Sequence, residues 1–548
     1  MQSHLLDDTL RELEQNRIIA RVWDHDPTVW GSRDGREIVD RLGWLTVAET
    51  MQPRIAEIQA FAQEIRKSGF TDIVLLGMGG SSLAPHVLAQ NLSPAEGFPR
   101  FHMLDSTVPA AVLGCEKAIN LARTLFVVAS KSGSTIEMLS MFKYFWQRMS
   151  DIVPEPGDAF IAITDPGSGL ERIARERAFR AVFLNPTDIG GRYSALSLFG
   201  LVPAALAGVD INRVLRSAQD MAARCSPAVP VRENPGAILG AFLGTMAREG
   251  RDKVALAISP YFADLGLWIE QLLAESTGKR GTGILPVPLP ATGTLIGEAL
   301  RLPDHTLITI APDDDAARAQ PAPTALVRQL TDAHDLGAEF YCWEMATAIA
   351  GHILQVNPFD QPNVAEAKRN TTAMLAHFER HGRLDLPDAQ APDDGRFAIR
   401  DDGDARLLEH SLKAFFARVQ RGHYVALLAY LPPCDTWDAF LADVQEHIAL
   451  RLRAAVTVGY GPRYLHSTGQ LHKGGPPTGH FIILTADDAQ DVEIPGEPYT
   501  FSVLKDAQAL GDEQTLRSAG RPVVHIRLTG DVAGASRALR RAMIMALM

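Results

Sequence analysis

The chain has 548 residues, with 53 Lys and Arg against 65 Asp and Glu for a formal charge of −12, and is 46% hydrophobic and 22% charged. That length predicts two or three domains, and the composition excludes a disordered or membrane-embedded chain. The acidic balance leaves no general basic field for nucleic acid or an anionic membrane, so an anionic ligand has to be caught locally. Cys115, Cys225, Cys342 and Cys434 are scattered without C-x-x-C spacing, which predicts buried, reduced thiols rather than a disulfide framework or a zinc site. Met1 to Arg21 has no apolar core of the signal-peptide type. The longest apolar stretch, Ala195 to Val209, is shorter than the ~20 residues of a membrane span. A cytoplasmic protein is expected.

In chain order, an amphipathic helical lead-in (Val47 to Lys67) precedes short apolar runs at Asp72 to Gly77, Phe101 to Asp105, Thr124 to Ser130, Ala159 to Thr164 and Ala181 to Leu184. Runs without polar alternation, separated by helix-length spacers, predict a doubly wound parallel sheet covered on both faces. A Pro-containing linker from Ser226 to Pro235 leads to a second α/β unit. Its strands are expected at Lys253 to Ser259 and Thr306 to Ala311, and its helices at Leu265 to Ser276 and Ala338 to Gln355. The Asp-, Gly- and Pro-rich run Asp388 to Arg406 reads as exposed and mobile. Beyond it, Tyr424 to Leu431, Phe481 to Thr485 and Val523 to Thr529 read as strands and Ala535 to Met548 as a closing helix. The expected division is 1–225, 234–387 and 407–548.

Three loops follow strands and open helices, where free N–H groups and the helix dipole favour an anion. Gly77-Met-Gly-Gly-Ser-Ser82 fails as a dinucleotide fingerprint, because Ser82 takes the third glycine position. Gly79, Gly80 and Ser81 either make a tight turn or let an anion approach the backbone. Ser130-Lys131-Ser132-Gly133-Ser134-Thr135 offers four hydroxyls and an ammonium at a helix start, more than capping needs, and fits a phosphate dianion. Gly190-Gly-Arg192-Tyr-Ser194 places an arginine on a glycine-supported turn, facing a carboxylate or a developing negative charge. No Walker A sequence is present, which disfavours nucleotide triphosphate hydrolysis. Together the loops describe a small phosphorylated ligand.

Glu275 falls in the last turn of its helix, at the negative end of the dipole, so it is either an exposed charge or a candidate base. Lys368 lies early in the helix after Asn357-Pro-Phe-Asp-Gln361, where alone it reads as a solvated lysine. His466 and His472 are six residues apart, a spacing that suits no metal motif.

Gly77–Ser82, Ser130–Thr135, Gly190–Ser194, Glu275-Ser-Thr-Gly-Lys279 and Phe359-Asp-Gln-Pro-Asn-Val-Ala-Glu-Ala-Lys368 occur in the order found in glucose-6-phosphate isomerases, which the chain resembles. Leu465 to Gly475 resembles the isomerase half of bifunctional transaldolase–glucose-6-phosphate isomerases, without a transaldolase half. The resemblance implies two SIS-type doubly wound subdomains plus a C-terminal α/β portion, no metal or other cofactor, and a homodimer. It implies reversible interconversion of glucose 6-phosphate and fructose 6-phosphate through a cis-enediolate, with Glu275 as base and Arg192 stabilising the enediolate. Lys368 would serve ring opening and substrate positioning. The 130–135 loop, Gly79, Gly80, Ser81 and Gln361 would bind substrate. No matching histidine motif lies between Glu275 and Lys368; His466-Ser-Thr-Gly-Gln resembles the family's histidine loop, and the resemblance implies ring opening by His466, with His472 as the alternative. The C-terminal portion would then complete the site, in cis or across a dimer. The other readings are a sugar-phosphate-binding regulatory module without turnover, and an isomerase that also accepts mannose 6-phosphate.

Overall fold

The computed structural model describes residues 2–32, 35–290, 294–312, 324–384, 395–401 and 408–548. Its strands form three sheets. In the first, β1 (Asp72–Leu76), β2 (Arg100–Leu104), β3 (Thr124–Ala129), β4 (Phe160–Thr164) and β5 (Ala181–Leu184) pair in parallel in the order β2-β1-β3-β4-β5. The second holds β6 (Lys253–Ile258), β7 (Leu285–Pro290), β8 (His305–Pro312) and β9 (Ala325–Leu330) in the order β7-β6-β8-β9. The third holds β10 (Phe397–Arg400), β11 (Tyr424–Tyr430), β12 (Ala455–Tyr460), β13 (Gly479–Ala486) and β14 (Val523–Leu528) in the order β10-β14-β13-β11-β12, with only β10 antiparallel. Each sheet is wound outward from its first parallel strand, with a chain reversal beside that strand. In such sheets ligands gather at the carboxyl ends around the reversal.

The C-terminal portion therefore builds its own sheet and does not extend the second one. Alternate residues of the third sheet enter two cores. Val425, Leu427, Ile482 and Ile526 face Leu412, Leu441 and Leu539, while Tyr424, Leu428, Phe481 and Ile483 face Ala274, Val287 and Leu471. The helix Phe501–Ser518 between β13 and β14 buries Phe501, Leu504 and Ala507 with Met138, Met141 and Phe145 from the helix after β3. The third sheet is thus joined to the first by a shared apolar core.

Four strands carried no clear signal in the sequence. β7, β9, β10 and β12 are all edge strands, which need only one paired side and tolerate Pro or charge. β10 corrects the expectation of an exposed run from Asp388 to Arg406. Phe397 and Ile399 are buried and pair against β14, while 388–394 and 402–406 lie outside the described residues. The turn from Ser226 to Asn234 joins two helices, Ile211–Arg224 and Pro235–Arg248, whose buried residues share one core with the helix Leu336–Ile353. All four cysteines are free, and Cys434 is exposed at a helix N-cap rather than buried. Among the described residues no helix is long and apolar enough to cross a membrane.

A two-pronged ion pair fastens the third unit to the carboxyl end of β2. Arg463 Nε and Nη2 donate to Asp105 Oδ2 and Oδ1 at 2.5 and 2.9 Å, with Asp105 only 4% exposed. Removing one partner of such a pair strands the other. Asp105→Ala should lower the free energy of unfolding by about 3–5 kcal/mol, read as a lower denaturation midpoint, with Asp105→Asn intermediate.

Candidate active site

Two loops predicted to meet an anion flank the reversal between β1 and β3. Gly79 sits at φ +53°, where a Cβ would stand 2.8 Å from both Gln271 Nε2 and the His466 carbonyl oxygen. A Cβ on Gly80 would fall 2.0 Å from the Gly191 carbonyl oxygen. Glycine is therefore required at both positions by close approach, and at Gly79 also by a left-handed backbone. Ser81 lies in the short helical turn Gly79–Ser81.

The 130–135 loop is held by its own hydroxyls. Ser130 Oγ accepts from Gly133 N at 3.1 Å and lies 3.0 Å from Thr135 Oγ1, and Ser132 and Ser134 pair at 3.0 Å. Ser132 and Ser134 are exposed, and the Thr135 side chain does not cap the following helix, Ile136–Ser150. That N-terminus keeps free N–H groups for an anion. Lys131 departs from the expectation of an ammonium presented to phosphate. Its Nζ donates to Asp165 Oδ2 at 2.5 Å and to the Thr187 carbonyl at 3.0 Å. A lysine this close to a carboxylate on the next strand exit anchors the loop.

Arg192 is the centre of the assembly. Its side chain is 4% exposed. Nε donates to Ser276 Oγ at 2.8 Å, Nη1 to Gln361 Oε1 at 2.7 Å, and Nη2 to the Pro358 and Asp360 carbonyls at 2.7 and 2.8 Å. Nη1 also stands 3.4 Å from Glu275 Oε1. Glu275, buried in the last turn of the helix Leu265–Thr277, receives Gln271 Nε2 at 3.1 Å. The reading of Glu275 as an exposed helix-end charge is thereby excluded. Lys279 braces the same loop as Arg192. It donates to the Asn357 and Asp360 carbonyls and pairs with Asp360 Oδ1 at 2.7 Å. Burial and the neighbouring Arg192 charge bring its ammonium down to about 7, against the raising effect of Asp360.

His466, 195 positions beyond Gln271, reaches this cleft within the same chain. Its carbonyl accepts from Gln271 Nε2 at 2.8 Å, and its ring Nε2 lies 2.8 Å from Glu137 Oε1. Glu137 also accepts from Gln508 Nε2 at 2.8 Å, and Gln508 Oε1 accepts from Thr107 Oγ1 at 2.7 Å. Burial raises the Glu137 carboxyl, but the His466 bond and charge, with the charge of Lys368, outweigh it and hold it below its ordinary value. Lys368, exposed on the helix Val364–His381, is therefore within electrostatic reach of the same carboxylate. With Nε2 engaged, Nδ1 is the His466 atom left to meet a ligand. His472 does not fit the alternative role: it is 2% exposed, and Nδ1 lies 2.9 Å from the Tyr424 hydroxyl. Glu137, Gln271 and Gln508 were not singled out from the sequence. The i, i+4 spacing of Gln271 and Glu275 was the one local signal.

The arrangement brings together an uncapped anion site, a carboxylate beside a buried guanidinium, and a carboxylate-held histidine beside a lysine. It can take a proton from carbon, compensate the resulting charge and protonate an oxygen.

A family model described as phosphoglucose isomerase matches residues 33–285. A glucose-6-phosphate isomerase of Rubrobacter xylanophilus is 31% identical over 401 residues, covering 62% of this chain and 90% of that protein. One of Thermosynechococcus vestitus is 28% identical over 420 residues, 66% of this chain and 76% of that protein. Among solved structures, a hypothetical protein of Thermus thermophilus superposes with a TM-score of 0.56 at 24% identity, over 68% of this chain and 95% of that one. A glucose-6-phosphate isomerase from Chlamydia trachomatis gives 0.58 at 19% identity, over 70% and 87%. These two superpositions describe the fold alone.

Glu137 is held below its ordinary value of 4.5, so its stabilising contribution is complete above that pH and is lost as pH falls through the lower folded value. Wild type should exceed Glu137→Gln in unfolding free energy by a constant margin near neutrality. That margin should shrink in acid, as measured by urea titrations at successive pH values.

Proposed function

The chain belongs to the phosphoglucose isomerase family, and we propose that the cleft just described interconverts glucose 6-phosphate and fructose 6-phosphate. The observation that carries this reading is Glu275 placed 3.4 Å from the enclosed guanidinium of Arg192, at a cleft that also holds an uncapped helix N-terminus and a carboxylate-bound histidine.

The phosphate sits on Ser130–Thr135. Ser132, Ser134 and Thr135 give hydroxyls, Lys131 gives its main-chain N–H, and Gly79, Gly80 and Ser81 close the other side. His466 Nδ1 passes a proton to the ring oxygen as the bond from C1 to that oxygen breaks, and the C1 hydroxyl gives its proton to water, from which His466 is reprotonated. Lys368 orients the opened chain. Glu275 then removes the proton from C2 of the open aldose. The C–H electron pair becomes the C1=C2 bond and the carbonyl pair moves onto O1, and the negative charge on O1 of the cis-enediolate, shared with O2 as the hydroxyl proton moves, is compensated by Arg192. Returning the proton to C1, with the hydroxyl proton moved from O2 to O1, gives the ketose. Gln361, itself bonded to Arg192, lines the same side. Ring opening, carbon deprotonation and charge compensation are each assigned to one positioned group, the condition for efficient proton transfer. All of these groups come from one chain, so the proposed homodimer is not needed to supply His466.

In a coupled assay, turnover of fructose 6-phosphate should survive an excess of chelator. It should fall roughly 100-fold or more in Glu275→Gln and about 10- to 100-fold in His466→Ala. Gly80→Ala, which drives a methyl group against the Gly191 carbonyl, should also lose roughly 100-fold with its fold retained by circular dichroism.

A further inference from the structure

The segment that carries His466 has little regular structure of its own. It consists of one 3₁₀ turn, Arg463–His466, and a six-residue helix, Gly469–Gly474, parted at Ser467, whose φ of −137° and ψ of −87° lie outside the helical region. Local bonds do not hold such a break in one shape, so contacts from elsewhere have to span it. The pair of Arg463 with Asp105 fixes only its start.

One carboxylate reaches both sides. Asp512, on the helix Phe501–Ser518, accepts the Tyr464 hydroxyl on Oδ2 at 2.7 Å, and its Oδ1 forms an ion pair with Lys473 Nζ at 2.5 Å. Tyr464 precedes His466 and Lys473 follows it, on the far side of the break. The Lys473 ammonium also donates to the Gly469 carbonyl at 3.3 Å, and the Tyr464 hydroxyl lies 3.1 Å from that of Tyr430 on β11. One turn earlier on the same helix, Gln508 donates to Glu137, the carboxylate that meets the His466 ring. Successive turns of one helix therefore reach the ring of His466 and the chain on either side of it.

The side chains of Lys473 and Asp512 are only 3% and 1% exposed. A lysine and an aspartate enclosed together give up their hydration, and a well-packed apolar pair of similar volume would serve the fold as well or better. What the ion pair adds is direction. A carboxylate that takes a hydroxyl on one oxygen and an ammonium on the other constrains where both donors stand.

We propose that Asp512 is a positioning residue for His466, its carboxylate clasping Tyr464 and Lys473 so that the histidine between them is presented to the cleft in one fixed place. This rests on the isomerase reading given above, with His466 opening the ring.

The test measures the thermal midpoint, and kcat and KM for fructose 6-phosphate, in the full chain for Lys473→Met/Asp512→Leu, for Tyr464→Phe, and for each of these combined with His466→Ala. The apolar pair should keep or raise the midpoint while kcat falls about 10-fold and KM stays put, because the phosphate loop is untouched. Tyr464→Phe, which removes one hydroxyl and leaves the ion pair, should lose about threefold in kcat, and it decides alone if the apolar pair does not fold. Neither change should slow His466→Ala further, since a clasp that acts through the histidine has nothing left to place. An unchanged kcat in either folded variant overturns the proposal. So does a fall by the same factor with and without the His466 side chain, which would make Asp512 a support of the fold alone. A wild-type chain without turnover overturns the isomerase reading and this proposal together, and His466→Ala with wild-type kcat overturns the role of the histidine and this proposal with it. An active wild type and an impaired His466→Ala, with indifferent clasp variants, overturn this proposal alone.

Discussion

A guanidinium cannot be enclosed unless its N–H groups are met, and the site is organised around satisfying Arg192. Four of its five N–H groups are taken, by Ser276, Gln361 and the Pro358 and Asp360 carbonyls. These partners lie on the Glu275 helix and on the loop before the Lys368 helix, up to 169 positions away in sequence. One cation therefore fixes the mutual placement of the turn at 190–194, the Glu275 helix and the 357–361 loop. Lys279 adds a second set of bonds to the last of these. The same bonds that satisfy the guanidinium leave its Nη1 edge toward Glu275, so the folding requirement and the chemical one have a single solution.

The third sheet enters the site by the same logic of satisfied polar groups. β12 ends at Tyr460, and the turn that follows must bring Arg463 to Asp105 and His466 to Glu137. The helix Phe501–Ser518 packs its apolar side on the helix after β3 and turns Gln508 toward Glu137 and Thr107. Gln470 binds the Gly278 carbonyl and both the amide N and the side chain of Asn363, tying the histidine segment to the end of the Glu275 helix and to the start of the Lys368 helix. The family model ends at residue 285, and beyond it these contacts hold His466 against Gln271 and Glu137.

What could be read from sequence divides along physical lines. Central strands such as β1, β3 and β6 are buried on both faces and announce themselves as unbroken apolar runs. β7, with Pro286, Pro288 and Pro290 in six residues, pairs on one side only and does not. Loops dense in glycine and hydroxyls were legible because backbone approach and anion binding impose composition locally. Glu137, Gln271 and Gln508 were not, because each is one polar residue in an otherwise ordinary helix. Their meaning lies in partners 329 and 371 positions away for Glu137 and 195 positions away for Gln271. Lys131 shows the reverse error. Its local setting suggested a phosphate ligand, and only the fold reveals that Asp165 claims the ammonium.

Burial also sorts the carboxyl groups that surround the cleft. Glu270 and Glu275 lie on one helix, five positions apart, and meet different surroundings. Desolvation carries Glu270 up to about 8 against the pull of Arg463, so at neutral pH it carries no full negative charge. Burial likewise pushes the Glu344 carboxyl well above its ordinary range. Glu137 and Glu275, by contrast, are each met by donors: His466 and Gln508 for the first, Gln271 and Arg192 for the second. Separating carboxyl groups into discharged and donor-bound sets lets an acidic chain receive a dianionic ligand.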